Sequence, residues 1–188
     1  MFSGDSIRVM HPLFFQEDDG GSIPTSPLQL RIDECHVHLA VELNALWHSR
    51  FPKVCASNII RNRRQVCFAA EYDGIFYATA LWSDPIAANR LNGGETMLEL
   101  RRMAIAPDAP DNTATRMIKI MVMLIRRKWP ELTKLISYQD TEVHHGTIYK
   151  ASGWKQETTA TLTEWDNGSR KRNKAQSTAP KIRWAKNL

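Results

Sequence analysis

The chain has 188 residues, 43% of them hydrophobic and 24% charged, enough for one packed domain with its own core and too few for two. No apolar run approaches the ~20 residues of a membrane span, the first residues have neither a basic leader nor a small-residue cleavage site, and Cys35, Cys55 and Cys67 show no short paired spacing. A cytoplasmic protein with no membrane partner, no disulfide framework and no zinc ribbon is expected, and its net charge of +5 leaves phosphate-bearing partners open.

Residues 1–27, with Glu17, Asp18, Asp19, Gly20 and Gly21 followed by Pro24 and Pro27, read as a loosely ordered leader, which puts the domain at 28–166. Leu28, Leu30 and Ile32 alternate as in a short strand. From Asp33 the spacing of Val37, Val41, Leu43, Leu46 and Trp47 becomes helical, running into His48 and stopping before Pro52. Arg61, Arg63 and Arg64 form a basic cluster, read as a solvated loop or as part of a phosphate-binding surface. Val66 to Tyr72 and Ile75 to Trp82 are β-rich runs whose Asp73-Gly74 junction predicts a hairpin. Met97 to Ile105 predicts another strand, ending at Pro107. Thr113 to Trp129 predicts a buried helix whose Arg126, Arg127 and Lys128 complement the dipole in its last turn. A strand follows from Leu135 to Tyr138, then a helical segment holding His144, His145 and Tyr149, then a last strand near Thr158 to Trp165. From Asn167 onward no acid occurs and seven residues are basic, so 167–188 reads as a mobile basic tail. Such a tail either binds phosphates, with Trp184 stacking on a base, or merely solubilises the chain. The order of elements is that of a single-domain α/β protein with a mixed central sheet and flanking helices.

Chemistry concentrates in two places. The loop DAPDNTAT opens the long helix; Asn112 or Thr113 can cap it, and the amides at Asn112, Thr113, Ala114 and Thr115 would face a pyrophosphate. An ordinary capped helix is the competing reading, since the loop has no glycine. The strands ending at Ile105 and Tyr138 would run parallel with that helix between them, and a thioester cofactor would sit where they part, against Met103, Ala104 and Ile105. Tyr149 would face its sulfur as proton donor, or would simply pack its helix on the sheet. Asp140 stands at a strand end, where open α/β sheets bind ligands. It would hold an amine or take its proton, or else form a turn. His144 and His145 point about 100° apart on a helix, so only one can face a given site. Arg101 and Arg102 alternate on their strand, so one should face the cleft.

The layout, with IYKASGW as a tyrosine ahead of a Gly-aromatic pair, resembles the GNAT acyltransferase superfamily. More narrowly, SYQDTEVHHGTIYKASGW with LELRRMAI and NALWHSRFP resembles the phage Mom family of DNA adenine-modifying proteins, over roughly Val41 to Lys155. The resemblance implies a GNAT-like domain that binds acetyl-CoA and adds an acetamido (methylcarbamoyl) group to the exocyclic amine of adenine in phage DNA, protecting it from host restriction. It puts Arg102 on the central strand and Tyr138, Asp140, His144, His145 and Tyr149 in or near the cleft, with His48 at the end of the first helix pair. Adenine in a duplex would have to flip out, and Tyr138, Trp47 or Tyr149 could stack on it. A metal ion held by His48, Asp140 and one of His144 or His145 is a further expectation. It would answer a mismatch, because acyl transfer alone does not join an acetamido group through its methylene. A conventional GNAT acetyltransferase acting on a small amine or protein, and a nucleic-acid-binding module with an inactive GNAT body, are the alternatives.

Overall fold

The computed structural model describes residues 23–48, 54–86, 96–142, 144–160 and 180–188. Arg31–Cys35 (β1) runs antiparallel to Gln65–Tyr72 (β2), which turns back into Ile75–Ser83 (β3) through Asp73 and Gly74. Both turn residues have positive φ, 51° and 78°, the twist a two-residue hairpin needs. Met97–Ile105 (β4) pairs antiparallel with β3, and Lys134–Asp140 (β5) parallel with β4. Lys155–Ala160 (β6) and Lys181–Asn187 (β7) complete a seven-stranded sheet in the order β1-β2-β3-β4-β5-β7-β6. The helices are Val37–Trp47 (α1), Ala56–Ile60 (α2), Thr113–Lys128 (α3) and Thr147–Ala151 (α4).

Each face of the sheet carries its own core. Met117, Ile118, Met121 and Ile125 of α3 are fully buried with Phe68, Trp82, Leu98, Leu100 and Leu135. On the other face Leu39, Ala40 and Leu43 of α1 pack on Cys67, Ala69 and Leu81. Cys35 and Cys67 are reduced, buried and directly opposite each other on β1 and β2, while Cys55 is exposed. Among the described residues no helix is long and apolar enough to cross a membrane.

Several expectations change. Pro27–Gln29 is a 3-10 turn rather than the start of a strand, because Ser26 and Gln29 close a capping box that leaves Leu28 outside. Asp33 does not open a helix; its carboxylate turns back on the Glu34 amide (2.7 Å), and the chain stays paired with β2 to Cys35. The two histidines precede α4, which begins after Gly146 at φ 72°. Arg64 is no solvated loop residue, since it meets Asp84 and Glu131. The largest departure concerns the basic tail. Lys181–Asn187 is the strand between β5 and β6, so the segment expected to be mobile is internal to the sheet. Its charge is accommodated locally: Glu157 receives Arg183 at 3.0 Å and Lys134 at 3.3 Å. Trp184, expected to be free to stack on a base, is 3% exposed with its ring stacked on Tyr149. The leader to residue 22, residues 161–166 of the expected last strand and residues 167–179 of the expected tail lie outside the described residues.

Candidate active site

β4 and β5 pair only from Met97↔Lys134 to Leu100↔Ser137, and beyond that they part. The separation coincides with a bulge. Against β3 the register runs Leu81↔Arg102 and then Trp82↔Leu100, so Arg101 is the extra residue. Leu98 and Leu100 pack on the α3 side before it, and Met103 and Ile105 after it, so the facing positions change from even to odd. Arg101 and Arg102, expected on opposite faces, therefore both lie on the α1 side. A one-residue bulge defeats strict alternation.

The opening is a cleft of about 540 Å3. Met103, Ile105, Ala114, Ile148 and Tyr149 line it on the α3 side. On the α1 side stand Trp47, His48, Glu99, Arg101, Arg102, Tyr138 and Asp140, with His144 and Lys181. Among the expected cofactor contacts Met103, Ala104, Ile105, Ala114 and Tyr149 line the cleft, whereas Asn112, Thr113 and Thr115 do not. Thr113 is buried and its hydroxyl donates to Pro110 O (2.6 Å). Asn112 supplies the left-handed conformation, at φ 65°, that a glycine would otherwise give the loop. No side chain caps α3, so its first-turn dipole is open to an anion.

Tyr149 both packs and faces the cleft. Its ring stacks on Trp184 (centroids 5.4 Å apart, 13° between planes) and tilts against Trp154 (5.7 Å). Its hydroxyl and that of Ser137 are 2.9 Å apart. Burial pushes the phenol up from its ordinary value, against the opposing Ser137 hydrogen bond, and keeps it protonated at neutral pH. Gly153, at φ 71°, ends α4 and lets the Trp154 amide return to Tyr149 O (2.9 Å).

On the opposite side Asp140 ends β5. It is 5% exposed; Oδ1 accepts the Glu142 amide (3.0 Å), and Oδ2 has no hydrogen-bond partner among the described residues. His48 caps the end of α1, its amide donating to Asn44 O (2.9 Å). Burial, then the charges of Arg102 and His144, hold its imidazole below the ordinary value, so it is neutral at pH 7 and able to take a proton. The Arg102 guanidinium is half-buried and held below its ordinary value by burial and by Arg101, with Glu99 opposing. Of the two histidines His144 reaches the cleft; His145 is exposed and does not line it.

Three lining residues escape a reading by motif. Glu99 is 5% exposed, accepts the Ile86 amide (3.3 Å) and lies 3.7 Å from Arg101 Nε. Arg101 itself donates to Ser83 Oγ (2.8 Å). Lys181 arrives opposite Asp140 across β5 and β7, and could only have been found by recognising β7. Among the described residues no three His, Cys, Asp or Glu gather as a metal group would require, so the expected set of His48, Asp140 and a neighbouring histidine does not fit a metal ion.

Residues 81–187 match the Mom protein family. No curated protein sequence matches the chain. Its fold is that of the GNAT acetyltransferases. A ribosomal-protein-alanine N-acetyltransferase from Brucella melitensis superposes with a TM-score of 0.61 at 15% identity, over 85% of this chain and all of that one. The ribosomal-protein-S18-alanine N-acetyltransferase from Escherichia coli gives 0.58 at 12% identity over 84% of this chain and 93% of that one. A GNAT family acetyltransferase from Elizabethkingia anophelis, with acetyl-CoA bound, gives 0.59 at 12% identity over 85% and 99%.

Proposed function

Because the chain belongs to the Mom protein family, we propose that it is an acetyl-CoA-dependent enzyme that adds an acetamido group to the exocyclic amine of adenine in DNA, a modification that protects phage DNA from restriction. The observation that carries this reading is Asp140. A buried carboxylate with Oδ2 unpartnered, facing a cleft, is built to accept N–H from a bound amine.

Acetyl-CoA, when bound, supplies an activated two-carbon unit. The parting of β4 and β5, the uncapped start of α3 and the apolar lining of Met103, Ile105, Ala114 and Ile148 fit a thioester arm ending in phosphates. Every other role belongs to the chain. Tyr149 holds a proton on the cofactor side for a leaving thiolate. Asp140 orients the amine, and neutral His48 takes the proton the amine gives up. Arg102 stabilises negative charge developing in the cleft. The flanking cations suit DNA phosphates: Lys181 lines the cleft, and Arg61, outside its lining, is close enough to affect Arg101, whose guanidinium is lowered first by burial, with Glu99 opposing. Trp47 and Tyr138 line the space a flipped base would enter.

Attack of the amine on the acyl carbonyl yields an N-acetyl product. An acetamido group is joined through its methylene, so making it from an acetyl unit takes an amide nitrogen from a further donor and a two-electron oxidant to replace a methyl C–H by C–N. The proton transfers assigned to Tyr149 and His48 cover the displacement of the thiolate and not that oxidation. Mass spectrometry of nucleosides from DNA of cells expressing the protein separates the two. Deoxyadenosine carrying an acetamido unit is expected; an acetyl unit would make the protein a conventional transferase that uses DNA, and unmodified deoxyadenosine beside confirmed expression would overturn the reading.

A further inference from the structure

The turn that carries His144 is tied at both ends to the C-terminal strand. At its start the amide and the hydroxyl of Thr141 both donate to Pro180 O, the hydroxyl at 2.8 Å. At its end stands Gln139, 4% exposed, between Trp184 and the turn. The indole N–H of Trp184 donates to Gln139 Oε1 (2.7 Å), and Gln139 Nε2 donates to the carbonyl of His144. An indole can only donate, so the carboxamide has one orientation here and its NH2 must face an acceptor. Gly146 fits against the same pair. A Cβ there would lie 2.5 Å from Gln139 Oε1 and 2.6 Å from Trp184 Cζ2, so the backbone approaches as closely as it can. Trp184 meanwhile stacks on Tyr149. One indole therefore contacts the cofactor-side tyrosine directly and the acceptor-side histidine through a single carboxamide.

We propose that Gln139 is a positioning residue for the acceptor side of the cleft: through its carboxamide, Trp184 of β7 fixes the turn that carries His144. The turn is also held by the His144 amide, which donates to Asp140 O (3.1 Å), and by the Glu142 amide, which donates to Asp140 Oδ1 (3.0 Å), while its side chains at positions 142, 144 and 145 are exposed. Without the carboxamide it keeps its attachment to Pro180 and loses its register over the cleft. The turnover arm of the test rests on the functional reading above; the exchange arm does not.

Gln139→Glu keeps the shape and the acceptor for the indole but sets a second oxygen against the His144 carbonyl. Trp184→Phe keeps an aromatic ring beside Tyr149 and removes the N–H together with the fused second ring, so the isosteric Gln139→Glu is the arm that isolates the hydrogen bond. In the full-length protein, hydrogen exchange of the His144 amide read by NMR should accelerate about tenfold or more in both variants while the amides of β4 and α3 stay protected. Turnover on DNA should fall about tenfold with the KM for acetyl-CoA unchanged, because only the acceptor side has moved. A His144 amide protected as in the parent protein in both variants overturns the proposal. So does a KM for acetyl-CoA that worsens in step with turnover, which marks Gln139 as an ordinary core residue. If the parent protein leaves adenine unmodified, the functional reading fails, and the exchange arm still decides the clamp.

Discussion

Tyr149 gives the cleft a buried proton, and its surroundings say what removing it does. Tyr149→Phe keeps the stack on Trp184 but leaves the buried Ser137 hydroxyl without its partner, a loss of about 1–2 kcal/mol. Turnover should drop by about 100-fold with acetyl-CoA affinity unchanged, as read from thermal denaturation and steady-state kinetics side by side. His48 predicts a pH effect of definite sign. Its folded pKa is depressed, so as pH falls through the ordinary histidine value of about 6.5 the unfolded chain takes up a proton that the folded chain refuses, and stability declines. Above that pH the effect is absent. Urea titrations from pH 5 to pH 8 should show this slope in the parent protein and a shallower one in His48→Gln, and turnover should persist below pH 6.5 before its acid limb begins. At this scale Asp140 and Tyr149 were legible from the strand end and the Gly-Trp pair beside them, whereas His48 and Tyr138 came to the cleft only through the family resemblance; all four line it. Glu99 was not, and Arg101 was weighed only as the alternative to Arg102. A carboxylate and a guanidinium inside an apolar strand look like its solvent face until the helix covering that face is known.

Elements were legible wherever one periodicity held without interruption. The β2–β3 hairpin, β4 and α3 follow their apolar patterns almost to the residue. Reading failed where a local hydrogen bond or an irregularity outweighed the pattern. The capping box at Ser26 takes Leu28 out of the alternating Leu28-Leu30-Ile32 run and into a 3-10 turn, and the bulge at Arg101 brings two successive arginines to one face. Gly146 shows why the histidine segment is not helical. A left-handed residue cannot lie within an α-helix, so α4 can begin only after it and the histidines fall in the turn before. Gly146→Ala adds a strained φ to a clash with Gln139 and Trp184, and should cost about 2–3 kcal/mol. Chemical denaturation checks this; a midpoint unchanged from the parent protein would show that the turn has room to shift.

Over the whole molecule the basic C-terminal segment carries the strongest test, because it looked separable and is not. Ile182 and Trp184 alternate with Arg183 and Ala185, a strand pattern obscured by an acid-free surrounding that reads as solvated. In the sheet it stands between two strands: β7 pairs with β5 along its full length and is the strand on which β6 depends. A chain ending at residue 179 would therefore leave β6 without a partner, expose the Trp184 side of Tyr149 and open the edge of β5. It should lose cooperative unfolding and acetyl-CoA binding together, rather than DNA affinity alone. Charge is tested separately, with the strand left in place. Lys181→Gln and Arg61→Gln remove cations near the cleft without touching the buried aromatic contacts, and each should lower the slope of log affinity against log salt by about 1 if its side chain meets a phosphate. Fluorescence anisotropy with duplex DNA across a salt series measures that slope. If both slopes match the parent's while acetyl-CoA still binds, DNA follows a path that avoids these two side chains.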